Sequence, residues 1–248
     1  MPRFLVAAVL AALVVAAPAQ ASWTKVVNDR FDSGGVPDHW HLYDGPYGSD
    51  PHNCASPSHA SVSDGYLHMR MSYEQSGACG AGWYTAGMML DKAFGAVDQR
   101  VAVKWRIVPD GVSSHRIIPM RFPNDDPWPA GGEQDLCEGG GLDGCSTFLH
   151  YGDVAPGEQV WHPYGNLDLT NWHVMGFVVK NNAMSSWIDN WVTPAWLYWG
   201  TATTLPDTVK RVVLQQECHP AGCPDTTTGS EDTQIDWITV YNWTPDTG

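Results

Sequence analysis

Short runs of alternating apolar and polar residues dominate the chain, and they predict strands. Val101-Ala-Val-Lys-Trp-Arg-Ile-Val108 is β-branched and aromatic with partial alternation. Segments His115 to Phe122, Val174 to Lys180, Ser185 to Val192, Val209 to Gln216 and Gln234 to Tyr241 read the same way. Gly, Pro, Asn and Asp clusters separate them, such as Pro109-Asp-Gly111 and Asn124-Asp-Asp-Pro127. Beyond the N-terminal segment no stretch has a convincing helical period. Many short strands with turn-rich connections imply an antiparallel sandwich or barrel. A sandwich with one curved sheet offers a concave face for a long ligand.

The N-terminal segment reads differently. Arg3 precedes an almost wholly apolar run from Phe4 to Ala17, and Ala19-Gln20-Ala21 places small residues where a signal peptidase reads. Residues 1–21 are expected to be a signal peptide cleaved after Ala21, because the run falls short of the ~20 residues a membrane span needs. Ser22 to Gly248 contains no linker, repeat or low-complexity tract, and its length suits one all-β domain. A soluble, extracellular monomer without membrane association is the expectation.

The net charge of −14 changes the list of partners. Lys and Arg are too few and scattered for a nucleic-acid groove. The carboxylate excess also disfavours a heavily anionic substrate, so a neutral polymer fits better. Six cysteines in an exported chain suggest disulfides, with 15 pairings open to them. Pairing neighbours gives the shortest loops, hence Cys54–Cys79, Cys137–Cys145 and Cys218–Cys223.

Candidate chemistry gathers in Trp128-Pro-Ala-Gly-Gly-Glu-Gln-Asp-Leu-Cys-Glu-Gly139. On a regular strand Glu133 and Asp135 share a face and Glu138 points away. One extra residue at Leu136-Cys137, a β-bulge, would return Glu138 to that face, with the acids at steps of roughly 7 Å. Like charges in a row are costly. Two carboxylates on one face are what glycosidic cleavage requires, and a third between them can drive their pKa values apart. A solvated acidic edge or a calcium site would use the same residues.

Glu133-Gln-Asp135-Leu-Cys-Glu138 resembles the E-x-D-x-x-E signature of glycoside hydrolase family 16 in its bulged, laminarinase-like form. Further resemblances follow in the family's order: Trp128-Pro-Ala-Gly-Gly132, Tyr84-Thr-Ala-Gly87, Phe94-Gly-Ala-Val-Asp-Gln-Arg100, His150-Tyr-Gly152, Asn171-Trp-His173, Trp187-Ile-Asp189 and Ile235-Asp-Trp-Ile-Thr-Val-Tyr241. The resemblance implies an all-β jelly-roll sandwich of two antiparallel sheets, of the concanavalin A-like type, with a concave substrate cleft. It implies a retaining mechanism in which Glu133 is the nucleophile, Glu138 the general acid/base and Asp135 the assisting residue, the two glutamates' carboxyls ~5–5.5 Å apart. Catalysis would need no cofactor. Asp236 resembles a position that often helps bind a structural calcium, with loop hydrogen bonding as the alternative.

The sequence departs from the pattern in two places. Gln134 stands where Ile, Leu or Val is usual and needs a partner in the opposite layer. His115 to Asn124 lacks the W-P-A-F-W run common in β-1,3-glucanases, which leaves the sugar open. Thirteen tryptophans supply flat faces for sugar rings. Trp128 and Trp105 are the stacking candidates, His150 is a candidate to bond substrate or the acids, and Trp172, Trp187 and Trp237 are expected in the core. The reading is a secreted retaining endo-glycosidase of a neutral β-glucan, β-1,3-linked by first choice. A galactan or other wall polysaccharide as substrate, or a non-catalytic lectin-like module, are the alternatives.

Overall fold

In the computed structural model, residues 21–32, 34–47, 53–153, 157–218 and 223–245 can be described. The expected leader lies outside them, apart from Ala21. Among the described residues there is no α-helix, only two single-turn 3-10 segments at Pro57–His59 and Lys92–Phe94. No helix is long and apolar enough to cross a membrane.

Two antiparallel sheets make the protein. The seven-stranded sheet runs Glu158–Gly165, Gly144–Tyr151, Glu133–Gly139, His115–Pro123, Lys210–Glu217, Gly87–Leu90, Trp40–Leu42. The nine-stranded sheet runs Trp196–Trp199, Ala183–Ile188, His173–Lys180, Gln99–Asp110, Ser230–Thr244, Tyr66–Glu74, Ala60–Ser63. Ser22–Asp29 and Gly82–Tyr84 add to it beside Ser230–Thr244 and Tyr66–Glu74. The strands do not pair in chain order, as expected of a jelly roll. The strand expected over 185–192 is displaced to Ala183–Ile188, because Asp189 turns left-handed at φ 52° and ends the extended run.

One apolar cluster fills the space between the sheets. Trp105, Phe177 and Ile238 from one sheet meet Leu136, Leu149 and Leu214 from the other. Period-2 patterning explains the fit: Val101, Val103, Trp105 and Ile107 point inward, while Lys104 and Arg106 point out. Trp105 is therefore no cleft residue. It is 1% exposed, within the core, on the sheet that does not carry the acids.

The other tryptophan expectations also change. Trp172, Trp187 and Trp237 are half-buried, not core. Trp172 packs on Tyr66 with centroids 5.0 Å apart, and Trp187 on Trp191 at 5.7 Å. The three expected disulfides form: Cys54–Cys79, Cys137–Cys145 and Cys218–Cys223. Gln134 finds its interior partner in Arg121, whose guanidinium also donates to Gln99 Oε1 at 3.0 Å. A buried amide is tolerated there because its acceptor is used.

Candidate active site

The acid strand is out of step with one neighbour. Asp135 pairs with Phe148 and Glu138 with Ser146, three residues against two. The extra residue falls at Leu136-Cys137, and both of those side chains sink into the core at 0% and 1% exposure. Two successive inward side chains return Glu138 to the face of Glu133 and Asp135. Cys137–Cys145 ties the bulge to the next strand.

The strand on the other side carries a matching irregularity. Ile117 and Met120 oppose Glu138 and Asp135 without loss of step, yet they oppose Gln215 and Val213 three against two. The extra residue is thus shared by two adjacent strands. Ile117, Met120 and Val213 then form a small apolar cluster with Tyr43 and Met89, separate from the main core. It flanks the acids on one side.

Aromatic rings flank them on the other. Phe148 stacks on His150 at 5.8 Å and on Trp161 at 6.3 Å, and Trp128 approaches His150 at 6.2 Å. Trp161 is 55% exposed and Trp128 38%, so both offer open ring surface. Beside Glu138 a surface depression of about 490 Å³ continues between Gly141, Ser146 and Pro163. The outward face therefore presents rings, a row of carboxyls and an apolar patch in sequence, which suits the alternating apolar and hydroxylated faces of a sugar chain.

The acids are unequal in environment. Asp135 is fully buried, Glu133 nearly so, and Glu138 partly open. Burial lifts the Glu133 carboxyl well above the ordinary range, and the charges of Asp135 and Glu138 push it further; the His150 charge and a hydrogen bond from Trp128 oppose them. Burial likewise lifts Asp135, with the Glu138 charge next, against a hydrogen bond with Glu133. Carboxyls so placed cannot all ionise, so they share protons.

His150 pairs with Glu133 across the strands, and its Nε2 lies 3.4 Å from Asp135 Oδ2. It thus meets the acids, one of the two partners expected for it. Three further residues join them. His115 Nε2 stands 2.9 Å from Glu138 Oε1. Tyr43 lies near enough to Glu133 for that charge, after burial, to raise its phenol above the usual range. Asn53 Nδ2 donates to Glu217 Oε2 at 3.1 Å, and the charge of Glu217 reaches Asp135. These residues come from distant parts of the chain, and no local spacing announces them.

Among the described residues, the group that could hold a metal is Glu133, Asp135 and His150, with donor atoms within 4.8 Å of one another. It coincides with the acid row. Asp236 does not fit the calcium expected of it. Its carboxylate takes the Lys104 ammonium at 2.6 Å, which already supplies the positive charge.

A jelly-roll sandwich with a bulged acid row on the outward face of its smaller sheet defines a structural class. The fold is that of the family 16 laminarinases. The laminarinase catalytic domain of Thermotoga maritima superposes with a TM-score of 0.72 at 19% identity, over 89% of this chain and 98% of that one. A family 16 non-specific endo-β-1,3(4)-glucanase superposes at 0.73 with 17% identity, over 91% and 94%. A protein from Z. galactanivorans, solved with laminaritriose and laminaritetraose, superposes at 0.71 with 20% identity, over 88% and 99%. No family model and no curated protein sequence matches the chain.

Proposed function

We propose that this chain is a secreted, retaining endo-glycosidase of a neutral β-glucan, with a β-1,3-linked chain as the substrate. One observation carries the reading: the slipped register between Asp135 and Glu138, which turns three carboxyls to the same side of one sheet, between stacked rings and an apolar patch. The solved structures of like fold include laminarinases and a protein holding laminarin fragments. Three disulfides agree with export.

Each acid has a role. Glu133 attacks the anomeric carbon while Glu138 gives its proton to the departing glycosidic oxygen, so the C–O bond breaks as the ester bond to Glu133 forms. Glu138, now a carboxylate, takes a proton from water, and that water releases the sugar from Glu133 with net retention. Asp135 holds a proton beside Glu133 and restrains its charge. His115 orients Glu138, and Trp161 with Phe148 provides a stacking surface.

Reducing-sugar release from laminarin tests the reading. The parent should be active, and Glu133→Gln should lose on the order of 10⁴-fold or more in kcat. Equal rates in parent and variant, or binding without release by the parent, would favour a saccharide-binding module instead.

A further inference from the structure

The face opposite the acids has a chemistry of its own. The chain is strongly acidic overall, yet Lys25, Arg30, Arg100, Lys104, Arg106 and Lys180 all sit on the nine-stranded sheet or at its strand ends. Every cation–ring contact among the described residues lies there too: Lys25 and Arg100 on Tyr241, Arg100 on Trp191, Lys104 and Arg106 on Trp172, Lys180 on Trp243. Some of these cations are neutralised, as Lys104 is by Asp236. Others are not.

A groove of about 420 Å³ crosses this face, lined by Lys25, Arg30, Arg100, Trp191, Trp237 and Tyr241. Trp191 is fixed before any ligand arrives. It stacks on Trp187 with planes 12° apart, and it rests over Gly176, where a Cβ would fall 2.4 Å from its ring. It still leaves 36% of its surface open. Arg100 is equally fixed, its guanidinium 5.0 Å from the Trp191 ring centre and 5.1 Å from that of Tyr241.

Arg100 also lacks what the other enclosed arginines have. Arg116 uses both terminal nitrogens on Glu231, Ser113, Ser114 and Gly141, leaving only its Nε without an acceptor, and Arg121 bonds Gln99, Gln134, Ala96 and Val97. Arg100 has no side-chain hydrogen bond or ion pair with any described residue, and its Nε is buried without an acceptor. Ring faces hold a guanidinium by its plane and leave its in-plane N–H donors unused. Unused donors of that geometry fit the two oxygens of a carboxylate or a sulfate.

We infer that this groove is a second saccharide site, taking a pyranose that bears a carboxylate or a sulfate. The rings of Trp191, Trp237 and Tyr241 meet the sugar face, Arg100 grips the anionic group, and Lys25 and Arg30 add attraction at the rim. The acid row lies on the outward face of the other sheet, so one sugar cannot serve both sites. The site would hold the protein on an anionic matrix polymer while the acid row works on a separate, neutral chain. This inference does not depend on the proposed hydrolysis.

Native electrophoresis of the mature protein through gels containing polygalacturonate, dextran sulfate or neither tests it. Retardation by polygalacturonate alone assigns a carboxylate ligand, and retardation by dextran sulfate a sulfate. Arg100→Ala and Trp191→Ala should each weaken the retention about tenfold, the effect of losing ~1.4 kcal/mol of contact. The exposed pair Lys25→Glu with Arg30→Glu, which gives up the Lys25 contact with Tyr241 and the Arg30–Asp32 ion pair but no core packing, should weaken it as well. Laminarin hydrolysis by all of these variants should stay within about twofold of the parent. Absence of retention in both gels overturns the inference. So does retention that Trp191→Ala leaves unchanged, since that marks simple ion exchange.

Discussion

His115 Nε2 approaches Glu138 Oε1 at 2.9 Å, across the pairing of the two irregular strands. The histidine is 8% exposed and fixes one oxygen of Glu138, while the other, Oε2, is buried without a hydrogen-bond partner among the described residues. His115→Phe removes the hold. We expect kcat on laminarin to fall about 10- to 100-fold, within the range for acid–base assistance. An aryl β-glucoside with an activated leaving group needs little proton donation, so its rate should change far less. Equal losses on both substrates would make His115 a structural residue only.

Asp135→Asn separates stability from activity. In the unfolded chain Asp135 titrates near 3.9, whereas in the fold its pKa is raised well above that. Between those values the native state binds a proton that the unfolded state lacks, so stability falls as pH rises through this window. Asparagine removes that dependence. The variant should melt higher than the parent at pH 7, by ~1–3 kcal/mol or a few degrees, and match it near pH 3. Its kcat should fall roughly 10²-fold or more, because the amide can donate to Glu133 but cannot release or regain a proton as the charge on Glu133 changes. Melting curves at the two pH values decide the first part; a lower melting temperature at pH 7 contradicts it.

Trp161→Ala tests the stacking surface. Trp161 is 55% exposed and touches the acids only through Phe148 and His150, so its loss should cost little stability. Stacking of this kind contributes ~1–2 kcal/mol, so KM for laminarin should rise about 5- to 30-fold with kcat nearly unchanged. A fall in kcat at constant KM would place the ring in the reacting geometry instead.

Replacing Cys137 and Cys145 with serine opens a loop with a sequence separation of 8. Loop-closure entropy puts the cost at about 2–3 kcal/mol, or roughly 5–10 °C in Tm. Activity should fall more steeply with temperature than the melting curve does, since the link anchors the bulge next to Glu138. Parallel loss of activity and fold would show that the bulge is held by the core alone.

Much of this was legible beforehand, because it rests on local pattern. Alternation located the six strands named from sequence, although the run over 185–192 could not reveal the left-handed turn at Asp189. The parity mismatch of Glu138 called for an extra residue, and Leu136-Cys137 supplies it. Neighbouring cysteines paired as loop length suggested. Trp105 was misplaced despite a visible signal: it shares its parity with Val101, Val103 and Ile107, an apolar face. Trp172, Trp187 and Trp237 were misjudged in the opposite sense, since large rings were assumed to seek the interior.

What escaped depends on register between distant strands. His115 reaches Glu138 only because two strands carry the same irregularity side by side. Phe148 and Trp161 align only through the pairing of their strands. Tyr43 arrives from the N-terminal third. None of these meetings has a sequence spacing, and each side chain alone looks like an ordinary strand or loop residue.

The shared irregularity also limits how this arrangement can be moved or altered. A kink confined to one strand would break its ladder on both sides; here Glu133–Gly139 and His115–Pro123 bend together and the mismatch is passed outward to Ser146 and Gln215. Deleting one residue from either strand alone would invert every side chain beyond it. Transplanting the acids to another sandwich therefore means carrying a two-strand cassette, with Ile117 to Met120 as indispensable to the graft as the carboxylates themselves.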